Sequence, residues 1–148
     1  MLKIYLDNCC YNRPYDDQTQ IRIRLETEAK LHIQSSIVKG DIEVVWSYML
    51  IFENSKNTNV AKKNAIISFS KNAKETIMAN ETIIKNANEI KNSGIKEADA
   101  LHIACAIEGA CDYFVTTDDR VLKYTNEKIS ILDPIDLIKK LDEQAGDI

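Results

Sequence analysis

The sequence predicts a single α/β domain whose mostly parallel central sheet is covered by helices on both faces. Three observations lead there. Short apolar runs alternate with longer stretches whose apolar residues recur at helical spacing, the pattern of successive strand–helix–strand units. The length, 148 residues, is that of one domain large enough to bury about two-thirds of its unfolded surface. Single carboxylates end the apolar runs, Asp7 after Ile4-Tyr5-Leu6 and Asp118 after residues 112–117. Both therefore fall at strand carboxyl ends, where open parallel sheets bind their ligands.

Residues 2–6 form the first, buried strand, and Tyr11 to Asp17, with Arg13-Pro14, a polar loop. From Gln18 to Lys39 the residues Ile21, Leu25, Ala29, Ile33 and Ile37 recur every fourth position, a helical stripe closed by Gly40. Ile42 to Trp46 is the second strand, and Ser47 caps the helix that carries Glu53. The Asn- and Lys-rich stretch 54–94 contains Ile66, Phe69, Ile83, Ile84, Ala87 and Ile90 at helical spacing and is expected to form two outer amphipathic helices. Glu97 to Glu108 is almost wholly apolar and is expected to be a buried helix, followed by a strand over 112–117. A short helix near 120–124, a strand over 129–132 and a last helix from Pro134 to Leu141 complete the domain, 1–141, with 142–148 a polar tail.

Several function classes are excluded at this level. No run of about 20 apolar residues exists to span a bilayer. The opening residues run straight into a strand with no signal-peptide pattern, so a cytoplasmic location is expected. Cys9, Cys10, Cys105 and Cys111 show no zinc spacing with His32 and His102, and free thiols are expected. Cys105 reads as a core residue, and Cys9 and Cys10 follow close after Asp7. Only four glycines are present, so there is no phosphate-cradling loop. The net charge of −4 argues against broad electrostatic binding of nucleic acid, but it falls to zero once four site carboxylates are set aside.

Those four are Asp7, Glu53, Asp99 and Asp118, each beside or within an apolar stretch. An ionised carboxylate near a core costs several kcal/mol unless compensated, as a rough scale. Four together repel, and a divalent hard cation with oxygen ligands is the natural compensation. An all-carboxylate site without a Ser–His pair fits metal-assisted hydrolysis of a phosphodiester. Taken singly, Asp7 and Asp118 also suit turns, Asp99 suits the first turn of a helix, and Glu53 suits a solvent face.

The set resembles the PIN-domain ribonucleases, including VapC-type toxins of toxin–antitoxin pairs. The matching segments are Ile4 to Asn8, Ser47 to Glu53, Glu97 to Ala104 and Asp112 to Asp118, in order over essentially the whole chain. The resemblance implies a three-layer α/β/α fold in which Asp7, Asp99 and Asp118 hold Mg²⁺ or Mn²⁺ and Glu53 completes the acidic cluster. It selects Asp118 over Asp119, and it gives Thr116 or Thr117 a role in placing water or phosphate. It implies hydrolysis of RNA, an antitoxin partner and a homodimer. Members commonly carry Ser or Thr after the first Asp, where this chain has Asn8.

Arg13, Arg22, Arg24 and Arg120 are candidate phosphate contacts, with Arg13 and Arg120 nearest the strand ends. Tyr11 and Tyr15 are candidates for stacking on bases. His102, three residues after Asp99, is read as a packed histidine on the same helical face. The competing reading is a catalytically inactive PIN-like module for binding or dimerisation, which Asn8 alone supports. A phosphotransfer receiver is a distant third reading, because Asp7 is followed by Asn8 rather than a second acid.

Overall fold

Strand β1 (Lys3–Leu6) occupies the middle of the sheet, and Ile4, Tyr5 and Leu6 are wholly buried, as a strand covered on both faces requires. The computed structural model describes residues 1–146. On one side β1 pairs with β2 (Glu43–Ser47), and on the other with β4 (Tyr113–Val115), Leu6 lying opposite Val115. The outer strands are β3 (Glu75–Ile77) beside β2 and β5 (Ser130–Leu132) beside β4. The order is β3-β2-β1-β4-β5, and every pairing is parallel.

That order has a switch point. The chain steps outward from β1 through β2 to β3, then returns across the sheet to β4 and continues to β5. With right-handed crossovers, the first direction places α2 (Ile21–Val38) and α4 (Val60–Ser70) on one face. The second places α5 (Glu81–Asn92), α6 (Glu97–Glu108) and the short α7 (Asp119–Leu122) on the other. The last helix, α8 (Pro134–Gly146), packs against α2, and α5 packs against α6, completing the three layers. A crevice therefore opens at the carboxyl ends of β1 and β4, where the winding direction reverses.

The buried helix is α6, with Ala100, Ile103, Ala104, Cys105 and Ala106 fully enclosed. Because it delivers the chain back to the start of β4, α6 has to begin at the carboxyl edge of the sheet, and its first turn carries Asp99 there. Gly40 and Gly94 follow the ends of α2 and α5 with φ of +83° and +100°, a conformation that side chains with a Cβ resist. Among the described residues no helix is long and apolar enough to cross a membrane.

The structure departs from the sequence reading in four places. Residues 11–17 are not a polar loop: Asn8–Asn12 is α1, capped by Asp7, and Arg13–Tyr15 is a 3-10 turn. The cap and the burial of Cys10 and Tyr11 decide this, Tyr11 lying edge-on to Trp46 with ring centres 4.8 Å apart. Tyr11 is thus a core residue, and only Tyr15 is exposed. Between the two predicted outer helices lies the edge strand β3, whose three residues bury only Ile77 and so leave almost no alternating signal. The strand predicted over 112–117 narrows to β4, because Thr116 and Thr117 turn towards the site. The helix predicted to stop at Leu141 continues to Gly146, and of the tail 142–148 the last two residues lie outside the described residues.

Candidate functional site

Asp7 is the first residue past β1, and its backbone N–H continues the ladder to Val115 O at 2.8 Å. Its side chain is buried, and both oxygens are engaged. Oδ1 accepts from Asn8 N at 2.8 Å, which caps α1, and Oδ2 accepts from Thr116 Oγ1 at 2.8 Å. The thiol of Cys9 lies 3.5 Å from the same Oδ2 and 3.4 Å from Thr116 Oγ1. Asp118, two residues past Thr116, donates its N–H back to Thr116 Oγ1 at 3.2 Å and caps α7 by accepting from Arg120 N at 2.9 Å. One threonine hydroxyl thus joins the carboxyl ends of β1 and β4.

Asp99 enters this crevice from the first turn of α6 and is half-buried. Burial pushes its carboxyl pKa up, and the negative charges of Asp7, Asp118 and Glu53 push the same way, with His102 opposing. Three other site acids therefore act on one carboxyl from three other elements. Glu53 comes from α3 (Tyr48–Ser55), whose N-cap Ser47 accepts from Leu50 N at 3.2 Å. Its Oε1 is 2.8 Å from His102 Nε2. His102 sits one turn beyond Asp99 and is fully enclosed. Burial alone would lower its pKa, but the hydrogen bond to Glu53 and the field of Asp7, Glu53 and Asp99 outweigh it, and the net direction is upward. The other ring nitrogen, Nδ1, is 2.6 Å from Tyr5 Oη, which is 2.6 Å from Ser47 Oγ.

The four acids thus meet at one edge without closing on one point. Among the described residues no three His, Cys, Asp or Glu side chains form a ready-made metal cage. That arrangement still suits a small hard cation, since Mg²⁺ keeps several waters and takes only one or two carboxylates from the protein. A separate cavity of about 660 Å³, lined by Leu2, His32, Asp41 and Asp112, lies at the opposite, amino end of the strands.

The basic candidates separate. Arg13 is committed to Glu26, with Nη2 to Oε1 at 2.9 Å, and to Asp16 at 3.1 Å. Arg22 grips Asp119 with both terminal nitrogens, at 2.9 and 2.7 Å, and reaches the Thr117 carbonyl at 3.3 Å. This pair draws Asp119 away and holds its carboxyl below the usual range, while Asp118 remains on the crevice. Arg120 is exposed beside Asp118, and Asn8 is half-buried beside Asp7. Thr117 is buried, its N–H donating to Cys9 Sγ at 3.4 Å.

Two features escaped the sequence reading. Glu26, buried between two arginines, carried no signal beyond its place on a predominantly polar helix. The tie from His102 to Glu53 crosses 49 residues of chain, and only the three-residue offset from Asp99 hinted at it.

A family model for the PIN domain matches residues 11–127, well over half of the chain, and spans Glu53, Asp99 and Asp118 but not Asp7. Asp7 joins the others through β1 instead. The fold is similar to that of VapBC2 from Rickettsia felis bound to a DNA fragment from their promoter, with a TM-score of 0.60 and 12% identity over 89% of this chain and 98% of that one. It is also similar to DNA-bound VapBC from Salmonella typhimurium, at 0.55 and 16% over 90% and 99% of the two chains. VapBC-1 from nontypeable Haemophilus influenzae gives 0.51 and 16% over 91% and 99%. At these identities the likeness is one of fold. No curated protein sequence matches the chain.

Proposed function

This chain belongs to the PIN domain family, and from that premise we propose that it is a Mg²⁺- or Mn²⁺-dependent endoribonuclease, the toxin of a toxin–antitoxin pair. The observation that carries the proposal is the meeting of Asp7, Glu53, Asp99 and Asp118 at the switch point, with Asp99 pushed towards its neutral form by burial and by the other three. Negative oxygens that together raise the proton affinity of Asp99 among them are suited to a cation.

The donors are all hard oxygens, so they fit Mg²⁺ or Mn²⁺ better than a thiophilic metal. Asp7, Asp99 and Asp118 are the residues proposed to hold the ion, with the second oxygen of Glu53, the one not engaged by His102. When bound, such an ion supplies Lewis acidity and makes water a nucleophile near neutral pH. The chain's own share is positional. Thr116 aims Asp7 and fixes Asp118 through one hydroxyl. Asn8 and Arg120 flank the crevice and are assigned to the RNA backbone, a guanidinium suiting phosphate. Arg13 is left out, being committed to Glu26. An edge open to solvent suits a polymer, which has to enter and leave along its length.

The structures it resembles are VapBC complexes, two of them bound to DNA, and we extend an antitoxin partner to this chain on that ground; a homodimer is proposed from the family resemblance alone. Incubation with structured and single-stranded RNAs, with Mg²⁺, Mn²⁺ or EDTA and beside Asp118→Asn, tests the reading. Cleavage that requires the metal and disappears in the variant supports it. An intact RNA together with no binding of Mn²⁺ leaves the inactive binding module in its place.

A further inference from the structure

We propose that His102 and Tyr5 are positioning residues for Glu53, a role that rests on the metal-dependent reading above. Ser47, Tyr5 and His102 form a buried hydrogen-bonded chain that clamps one oxygen of the Glu53 carboxylate and turns the other towards the cation.

The chain of contacts is continuous. Ser47 Oγ is 2.6 Å from Tyr5 Oη, Tyr5 Oη is 2.6 Å from His102 Nδ1, and His102 Nε2 is 2.8 Å from Glu53 Oε1. With His102 neutral, each hydrogen-bond direction follows from the one before it. An ionised carboxylate only accepts, so Nε2 carries a proton. In the neutral imidazole Nδ1 then accepts from the Tyr5 hydroxyl, and Tyr5 Oη accepts from Ser47. Ser47 Oγ in turn accepts from Leu50 N at 3.2 Å, so each polar atom along the chain has a partner. The imidazole tautomer is thus set from the core outward, which orients a ligand through the hydrogen bond it makes on its far side.

The anchor of this chain is rigid. Tyr5 lies in the central strand, wholly buried, stacked on Phe114 with ring centres 5.4 Å apart and edge-on to His102 at 5.7 Å. Glu53, by contrast, has three side-chain torsions and stands near the end of an eight-residue helix, a quarter of its side chain exposed. A flexible carboxylate on a short helix is referenced to the middle of the sheet.

Mn²⁺ titration of the full chain without RNA tests this, with wild type beside Glu53→Gln, His102→Gln, His102→Asn and Tyr5→Phe, and a thermal melt of each. Glutamine places an N–H donor near the position of Nε2, and asparagine places its amide near Nδ1. His102→Asn is expected to raise the Mn²⁺ Kd about tenfold, the usual scale when the partner of a ligand is lost, and Glu53→Gln, which alters the ligand itself, by at least as much. His102→Gln is expected to stay within about threefold of wild type, and Tyr5→Phe to weaken binding in the same direction as His102→Asn. Equal Kd values for the Gln and Asn variants, or an unchanged Kd in Tyr5→Phe, overturn the proposal. If His102→Asn does not fold, Tyr5→Phe, which removes a single oxygen, decides alone. A drop in affinity confined to Glu53→Gln rejects the positioning role and leaves the nuclease reading standing. A wild type that binds no Mn²⁺ removes both.

Discussion

The hydroxyl of Thr116 donates to Asp7 Oδ2 at 2.8 Å across 109 residues of sequence, and Thr116 Oγ1 itself accepts from the N–H of Asp118. The Asp7 carboxylate and the backbone that carries Asp118 are thereby tied together at the switch point by one uncharged side chain.

Thr116→Val is the direct test of that link, because valine keeps the shape and removes the oxygen. Asp7 loses a donor and the Asp118 N–H loses its acceptor in a buried setting. The expected cost is about 1–2 kcal/mol in urea unfolding, with RNA cleavage falling tenfold or more. Thr116→Ser should restore most of both. Activity unchanged in Thr116→Val would show that Asp7 needs no such support.

Much of this site was legible in advance. Asp7 and Asp118 could be placed because strand ends in a parallel α/β chain have predictable positions, and Asp99 through the motif around it. Glu53 was legible only through the motif around it, since a glutamate ending an apolar helical run reads equally well as solvent-facing. What stayed hidden was long-range: the edge strand β3, with one buried residue, and the ties Arg13–Glu26 and His102–Glu53. Short-range patterns carry periodicity and caps, but which arginine meets which acid depends on how distant elements pack. That is why Arg13 looked available for phosphate and is not.

Asp99→Asn should separate stability from function. The folded-state pKa of Asp99 is raised, first by burial and then by Asp7 and Asp118. A raised carboxyl pKa means that the folded state binds the proton more tightly than the unfolded state. Its ionisation therefore removes stability as pH rises through the unfolded and then the folded value. In EDTA at pH 7.5 the uncharged Asn variant should melt at the same temperature or higher, with a gain of at most about 1 kcal/mol at a half-exposed group. In Mn²⁺ the wild type should gain on the variant, and the variant should not cleave RNA. A variant less stable than wild type in EDTA would give Asp99 a purely structural role.

Glu26 predicts the opposite sign. Its carboxylate is buried and held by Arg13 Nε at 3.0 Å and by Arg22 Nε at 3.4 Å. Glu26→Ala leaves Arg13, itself largely covered, without its main partner, and the expected loss is about 3 kcal/mol. Because Arg22 also holds Asp119 beside the crevice, cleavage should fall only modestly at temperatures where the variant is folded. Urea denaturation measures the first effect and initial rates the second.

Lys30 offers a second pH signature. Its side chain is buried between α2 and the aromatic residues Tyr11 and Phe69, with Nζ 5.4 and 5.7 Å from the two ring centres and 2.6 Å from Gln34 Oε1. Burial lowers its pKa from 10.5 to about 8. The folded state then gives up this proton before the unfolded state does, so between about pH 8 and 10.5 the unfolded chain binds more protons and stability rises with pH. The full difference corresponds to about 3 kcal/mol, and the attraction of the ammonium to the two rings reduces it. Lys30→Met keeps the length of the stem and removes the charge. Its stability at pH 7 should exceed that of wild type by about 1–3 kcal/mol, and the gap should close as pH approaches 10.5. Parallel urea titrations of the two proteins at pH 7, 8.5 and 10 read this directly. A gap that stays constant across that range would show that the ammonium is held charged by its aromatic neighbours, and that packing, rather than ionisation, separates the two proteins.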